Sequence, residues 1–297
     1  MVVLKGIMIA VVLGVICLSM NVSAQGITPG EILKEVTATY ESMQTYRAAG
    51  TIVADIDTGN MKMSTETSFS ILLMKPNLYL ISWTQKNMPM AGMNQDGAVW
   101  SDGAQPYLYM GIAKAYSKMS SDEMALAGAT GISGGAAFTI PSLFFKQQPA
   151  PFSSLKDPAI EKTEQVGEED CYVVSGSSAA SKKETFWISK SNHLIVKYSR
   201  SLEREEGAAP PDMTDEQLDE AIKGMGQQVT EENRKNMRGV MDRAQAVLKN
   251  TKTKGLSTET HVTISSPELS KADFRFVLPS DAVMKDSLFG GILSGGK

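Results

Sequence analysis

The chain is poor in the residues on which most catalysis and metal binding depend. Two cysteines and two histidines are all that its 297 residues contain. Cys17 lies in a leading apolar run. Beyond that run only Cys171 remains, so no internal disulfide can form even in an oxidising compartment. His193 and His261 each fall in or beside a strand-like run with no partner implied by spacing, and both read as structural. Basic residues do not exceed acidic ones, at 29 against 33, and they form no stripe; a nucleic-acid partner is therefore excluded. No apolar run approaches the roughly 20 residues that a membrane-spanning helix needs, and no internal repeat is visible.

What is present begins with a secretory pattern over residues 1–24. Lys5 is the lone positive charge, residues 7–19 form a short apolar core, and Val22-Ser23-Ala24 satisfies the small-residue cleavage rule. An uncleaved anchor is the alternative, because charged residues are so sparse there. Cys17 follows the bulky Ile16 inside the apolar core, so it does not read as a lipoprotein cysteine, and no lipid anchor is expected. Cleavage after Ala24 removes one base and no acid, which takes the net charge from −4 to about −5.

The remaining chain reads mainly as β with some α. Thr28 can cap a helix, Pro29 suits its first position and Glu31 completes a capping box. Ile32, Val36, Tyr40 and Met43 recur at helical spacing to about residue 44, and that stripe must be buried against a sheet. Period-2 alternation follows: Tyr46, Ala48, Gly50, Ile52, Ala54 and Ile56, then Met61, Met63, Phe69, Ile71 and Leu73. Such long alternation predicts an antiparallel sheet with one wet face. Asp96-Gly97 reads as a tight hairpin turn. A helix is expected over 121–128, ended by the glycine-rich 128–135, and a short one over 139–145. Strands are expected at 160–166, 170–175, 184–189, 193–199, 256–264 and 273–277. Residues 202–254 break the pattern with 11 acidic and 9 basic residues and no aromatic one. They read as a helical insertion in a hairpin loop, with helices at 214–223 and 230–249. On the second helix Met237, Val240, Met241, Ala244, Val247 and Leu248 form a stripe suited to a lid or a protein partner. Residues 287–297 read as a flexible tail, and 25–286 as one domain.

Two motifs carry a resemblance. Lys75-Pro76-Asn77-Leu78-Tyr79-Leu80-Ile81-Ser82-Trp83, followed by Asp96-Gly97 and Trp100, is similar to a series in the LolA-like lipoprotein carriers of the bacterial periplasm. Ala272-Asp273-Phe274-Arg275-Phe276-Val277-Leu278-Pro279 resembles the closing A-x-F-x-F-x-x-P strand of the same family. The resemblance covers residues 27–201 and 255–286. It implies a curved, incompletely closed β-barrel whose apolar concave side is covered by helices and shelters acyl chains. On that basis Met61, Met63, Phe69, Ile71, Leu73, Tyr79, Trp83 and Trp100 are candidates for the cavity wall, and Met124, Leu126, Phe144 and Phe145 for the lid. Ordinary core packing is the competing account of the aromatic residues. In the family the residue before Pro-Asn is typically an Arg that holds the lid shut. Lys75 lacks the planar fork of Arg, so a plain surface lysine competes there with a lid contact.

Catalytic signals are weak. Gly131-Ile132-Ser133-Gly134-Gly135 matches G-x-S-x-G, but a nucleophile elbow needs a strand before it, and here a helix is predicted. Met88, Met90 and Met93 could hold Cu(I) through thioethers; fifteen methionines beyond residue 24 fit an adaptable apolar surface or plain core filling equally well. No cofactor is called for. The leading expectation is a monomeric, non-catalytic periplasmic carrier of lipid or acylated lipoprotein. A regulatory module that docks a protein partner through 202–254 is the runner-up, and an enzyme using Ser133 is third.

Overall fold

The computed structural model describes residues 26–86, 95–147, 152–179, 181–203, 212–224, 227–249 and 252–288. The leading segment 1–24, Met88, Met90, Met93 and nearly all of the 287–297 tail lie outside the described residues. Helix α1 (Pro29–Ser42) starts as its sequence requires. The Thr28 side chain accepts from the Glu31 amide and Glu31 reaches back to Thr28, while Ile32, Leu33, Val36 and Tyr40 are buried. A meander follows: β1 (Thr45–Asp57), β2 (Lys62–Met74), β3 (Leu78–Lys86), β4 (Gln95–Asp102), β5 (Pro106–Met110) and β6 (Ala115–Lys118). Helices α2 (Asp122–Ile132) and α3 (Thr139–Phe144) come next, then β7 (Lys156–Val166), β8 (Glu169–Ser177), β9 (Glu184–Ser189) and β10 (Ile195–Ser201). Helices α4 (Asp215–Gly224) and α5 (Glu231–Lys249) precede β11 (Lys254–Ser265) and the two-residue β12 (Val283–Met284).

All twelve strands belong to one curved sheet in the order β12-β6-β5-β4-β3-β2-β1-β11-β10-β9-β8-β7. Its end strands do not pair, so it is not closed into a barrel. Neighbours are antiparallel except for β12, which runs parallel to β6. The fold is therefore the expected mainly-β one, a curved antiparallel sheet covered by helices. Register decides which side chains share a face. Tyr46 pairs with Leu73, Ala48 with Ile71 and Gly50 with Phe69; Leu73, Ile71 and Phe69 pair in turn with Tyr79, Ile81 and Trp83. These residues join α1, α2 and α3 in the main core. That helix-covered side is the inner face of the sheet.

Two strand-level expectations are corrected. Asp96-Gly97 is not a turn but lies within β4, where Gly97 pairs with Trp83. A Cβ on Gly97 would stand 2.2 Å from the indole, so this glycine makes room for a tryptophan instead of reversing the chain. The region 273–277 is not a strand. Lys271–Phe274 is a 3-10 turn with Phe274 fully buried, and the sheet gains β12 instead. The segment after that turn crosses the outer face, where Phe276 packs on Trp100 and Tyr109.

Helices α4 and α5 occupy the connection between β10 and β11, which are antiparallel neighbours, and the Leu202 amide donates to the Gly255 carbonyl at its base. Leu218, Ile222 and Met237 are buried with Val229 and Met241 in a cluster separate from the main core. Met237 and Met241 of the α5 stripe are thus covered by α4, not by the sheet, and Arg234 ties the pair with two bonds to Asp219. The side chains of Ala244, Val247 and Leu248 are outside the described set.

Two predictions follow from this packing. A Cβ on Gly50 would meet the Thr260 carbonyl oxygen at 2.0 Å, whereas one on Gly131 meets nothing within 4 Å. Gly50→Ala should cost about 3 kcal/mol and Gly131→Ala should be neutral or mildly stabilising, as measured by urea denaturation. Replacing 203–253 with a short Gly-Ser turn should leave a cooperative thermal transition, because β10 and β11 then close as a simple hairpin. Loss of that cooperativity would show α4 and α5 to be part of the main folding unit.

Candidate functional site

The inner face carries the main apolar core of the described residues. Phe69, Ile71 and Leu73 on β2, and Tyr79, Ile81 and Trp83 on β3, are all at most 4% exposed. Leu126, Ile140, Leu143 and Phe144 close over them from α2 and α3, with Phe145 partly buried beside them. The structure thus brings together Phe69, Ile71, Leu73, Tyr79, Trp83, Leu126, Phe144 and Phe145 from the sequence-derived set.

It does not bring in the others. Met61 is 49% exposed and Met63 half-buried. Met63 borders an open depression of about 580 Å³ at the β1–β2 tip, with Asp57, Lys62 and Leu256. Met61 and Met63 have the right parity for the inner face, but the helices do not reach that far. Trp100 has the opposite parity. Its partner across β5 is Tyr107, on which it stacks with ring centroids 5.2 Å apart, and both belong to the outer face. Met124 is only half-buried, because α2 turns Ala125, Leu126 and Ala129 inward.

The helical cover is tied to the sheet at its rim, and the Lys-Pro-Asn-Leu-Tyr stretch supplies the ties. Lys75 Nζ donates to the carbonyls of Tyr40 and Glu41 at the C-terminus of α1, and sits 4.8 Å above the Phe144 ring of α3. Lys75 therefore contacts the covering helices and is not a plain surface lysine. A planar fork is not required, since an ammonium with three donors can serve two adjacent carbonyls, and a cation suits the negative end of a helix. Desolvation lowers the Lys75 pKa, Lys146 adds to this and Glu41 opposes it. At the other end of the cover, Asp122 in the first turn of α2 accepts from Asn77 at 3.3 Å and from the Tyr79 hydroxyl at 3.0 Å. Burial, then the Asp122 carboxylate, holds the Tyr79 phenol far above its ordinary range, so it remains a donor. Between α2 and α3 the chain passes through Gly134 and Gly135, both at positive φ.

Sequence reasoning missed two site features. Asn77 and Asp122 were not recognised as a rim tie, because they are 45 residues apart. Glu259 and His261 are both buried on the inner face, with His261 Nε2 2.9 Å from Glu259 Oε1. Their i, i+2 spacing on a strand-like run was a usable signal, since it places two side chains on one face.

The Ser133 motif does not assemble a nucleophile. Ser133 caps the C-terminus of α2 and is fully buried; its hydroxyl donates to the Thr130 carbonyl and accepts from the Ala137 amide. A helix precedes it, so the elbow geometry is missing. Burial pushes the Cys171 thiol up to about 11, far from a reactive thiolate. Among the described residues no group of His, Cys, Asp and Glu could hold a metal ion, and no helix is long and apolar enough to cross a membrane.

No protein-family model and no curated protein matches the chain. Solved structures do. A LolA superfamily protein from Nitrosomonas europaea superposes with a TM-score of 0.31 at 11% identity, over 84% of this chain and 98% of that one. LprF from Mycobacterium bovis superposes at 0.42 and 9% identity, over 86% and 97%. The MucA/MucB complex of Pseudomonas aeruginosa superposes at 0.30 and 8% identity, over 84% of this chain and 61% of that one. The architecture is the open, curved, helix-covered antiparallel sheet expected from the sequence.

The rim ties predict a measurable effect. Lys75→Met should raise amide exchange in the last turn of α1 and in α3 by about tenfold, the worth of a charge-assisted hydrogen bond. Exchange in β1–β3 should not change. Equal exchange in both proteins would remove Lys75 from the cover's attachment.

Proposed function

We propose that the protein is a non-catalytic envelope carrier that shelters acyl chains between the inner face and its helical cover. The observation that carries this reading is the combination of a continuous apolar wall with a cover held at its rim by a few polar ties. Phe69, Ile71, Leu73, Tyr79 and Trp83 form the wall in this reading, Leu126, Phe144 and Phe145 the lid, and Lys75 and Asp122 the attachments. The closed form described above is then the empty state, in which the lid's own side chains fill the groove. The magnitudes are compatible. Sheltering acyl methylenes is worth about 0.8 kcal/mol each, so a chain of about sixteen carbons gains on the order of 12 kcal/mol. That is enough to displace several lid side chains at about 1.5–3 kcal/mol each. The secretory pattern at 1–24 supports a carrier that acts in the periplasm or otherwise beyond the inner membrane, as a monomer, with lipid or an acylated lipoprotein as cargo.

A regulatory module that docks a protein partner is the second reading. It is favoured by the α4–α5 pair, whose apolar cluster is separate from the main core and which is therefore available for docking without disturbing the sheet.

Mass spectrometry of organic extracts of the purified protein should find bound lipid. Added 1-dodecylpyrene should bind saturably, with faster uptake by Lys75→Met than by the parent. Absence of saturable uptake by both proteins would reject the carrier. A complex with an envelope protein that is lost on removing 203–253 would favour the second reading.

A further inference from the structure

Strand β11 does not follow its own hydrophobic pattern. Simple alternation along Leu256, Thr258, Thr260, Val262 and Ile264 would carry Val262 inward with Ile264. Instead the β1–β11 register slips between Ala49 and Gly50. Thr263 pairs with Ala49, His261 pairs with Gly50, and Val262 is the extra residue of a bulge. Val262 is left 72% exposed and Leu256 49% exposed, while Glu259 and His261 are turned to the inner face at 5% and 7%. Without the bulge Val262 would stand opposite Gly50 and both ionisable residues would point outward. A bulge is a known means of re-aiming a side chain, and a local rule broken without local gain marks a functional place.

The space these groups enter is prepared for them. Gly50 has no side chain, so the Phe69 ring from β2 and the His261 ring from β11 meet over β1 edge to face, 5.3 Å apart. Tyr198 pairs with Glu259 from β10, and its hydroxyl is spent on Glu184 at 2.9 Å. The Tyr40 hydroxyl oxygen accepts from the Ile195 amide. Among the described residues the Tyr46 hydroxyl, Trp83 Nε1, Trp187 Nε1 and both ring nitrogens of His261 are buried without a hydrogen-bond partner. Of these, the Tyr46 hydroxyl and His261 Nδ1 belong to the surroundings of Gly50. Tyr46 lies on the same face of β1 as Gly50, in tilted contact with Tyr40 at 5.6 Å. Burial, then Tyr40 and Glu259, hold its phenol well above the ordinary value, so it keeps its proton. With His261 Nε2 facing the Glu259 carboxyl group at 2.9 Å, Nδ1 is the ring nitrogen left to meet a ligand.

We propose that Tyr46, Glu259 and His261 form a polar station on the otherwise apolar inner face, which binds the neutral carbonyl of an ester- or amide-linked acyl chain. This rests on the carrier reading above. The unspent Tyr46 hydroxyl and His261 Nδ1 call for a hydrogen-bonding partner. The Glu259 carboxylate beside them opposes a second carboxylate, so a free fatty acid is disfavoured and a neutral acyl linkage preferred. The station gives the groove a direction, because the carbonyl is anchored under β1 and β11 while the chain runs along β2 and β3.

The test compares three probes on the purified protein: 1-dodecylpyrene, the methyl ester of 1-pyrenedodecanoic acid, and the free acid. The ester should bind about tenfold more tightly than the hydrocarbon, and the acid no more tightly than the hydrocarbon. The double variant Glu259→Met/His261→Leu replaces the pair with apolar groups of similar size, which leaves stability unchanged or raised. It should bind ester and hydrocarbon equally, with hydrocarbon affinity kept. Tyr46→Phe removes one oxygen and no volume; it should reduce the ester preference about threefold without lowering the melting temperature, and it decides the matter if the double variant does not fold. Equal binding of ester and hydrocarbon by the parent protein overturns the station and leaves the groove standing. An ester preference that survives both substitutions overturns it as well. An acid that binds as tightly as the ester overturns the neutral-head assignment. Failure of all three probes rejects the groove itself, and the station with it.

Discussion

An open sheet with one apolar face has to cover that face, and here the cover is three short helices. This burial is the interaction on which the rest of the structure depends. Ile32, Val36 and Tyr40 of α1, with Leu126, Ile140, Leu143 and Phe144 of α2 and α3, seat on residues of β1, β2 and β3. At about 1.5–3 kcal/mol for each large apolar side chain, this contact outweighs the rim bonds of Lys75 and Asp122, which contribute about 1–3 kcal/mol each. Apolar burial therefore holds the helices down, and the polar ties decide where they sit. Asp122 fixes the start of α2, and Lys75 fixes the end of α1 against α3.

The same division of labour suits a surface that opens. Apolar contact is non-directional, so a lid side chain and an acyl methylene are near equivalents on the wall. The ties are directional and few, and they lie at the edges of the cover, not beneath it. The glycines at 134 and 135 give the α2–α3 connection backbone conformations that other residues rarely adopt. Against this background the buried Glu259–His261 pair stands out. A fully apolar groove would hold a chain without fixing where along its length the chain begins. Buried polar groups cost stability unless they are satisfied, and the bulge at Val262 exists at the point where that cost is incurred.

The outer face shows how the sheet ends are managed. Over β4, β5 and β6 it carries Trp100, Tyr107, Tyr109 and Tyr116, and the segment after the 3-10 turn lays Phe276 and Leu278 across them. At the other end β7 is an edge strand with Pro158, several charged residues and two register irregularities, which are devices that discourage pairing with a further strand.

Much of the fold was legible locally. The capping box at Thr28 and Glu31, the alternation through β1 and β2, and the boundaries of β9 follow from rules that act over a few residues. The parity of Phe69, Ile71 and Leu73 was legible for the same reason. What the sequence could not decide was how far each face is covered and by what. Met61 and Met63 share parity with Phe69 but lie beyond the reach of the helices, and Trp100 was assigned by residue type although its neighbours in register place it outside. Asp96-Gly97 carries turn chemistry, yet an indole from the adjacent strand claims the space above Gly97. Lys75 reads alone as a solvated charge and becomes a helix cap only when α1 ends beside it. The sequence by itself therefore determined the elements, their periods and the sides of their strands, because those depend on neighbours three or four residues away. Tertiary structure alone decided which side chains meet, including the bulge that turns Glu259 and His261 inward, because a register is a property of two strands and neither strand carries it alone.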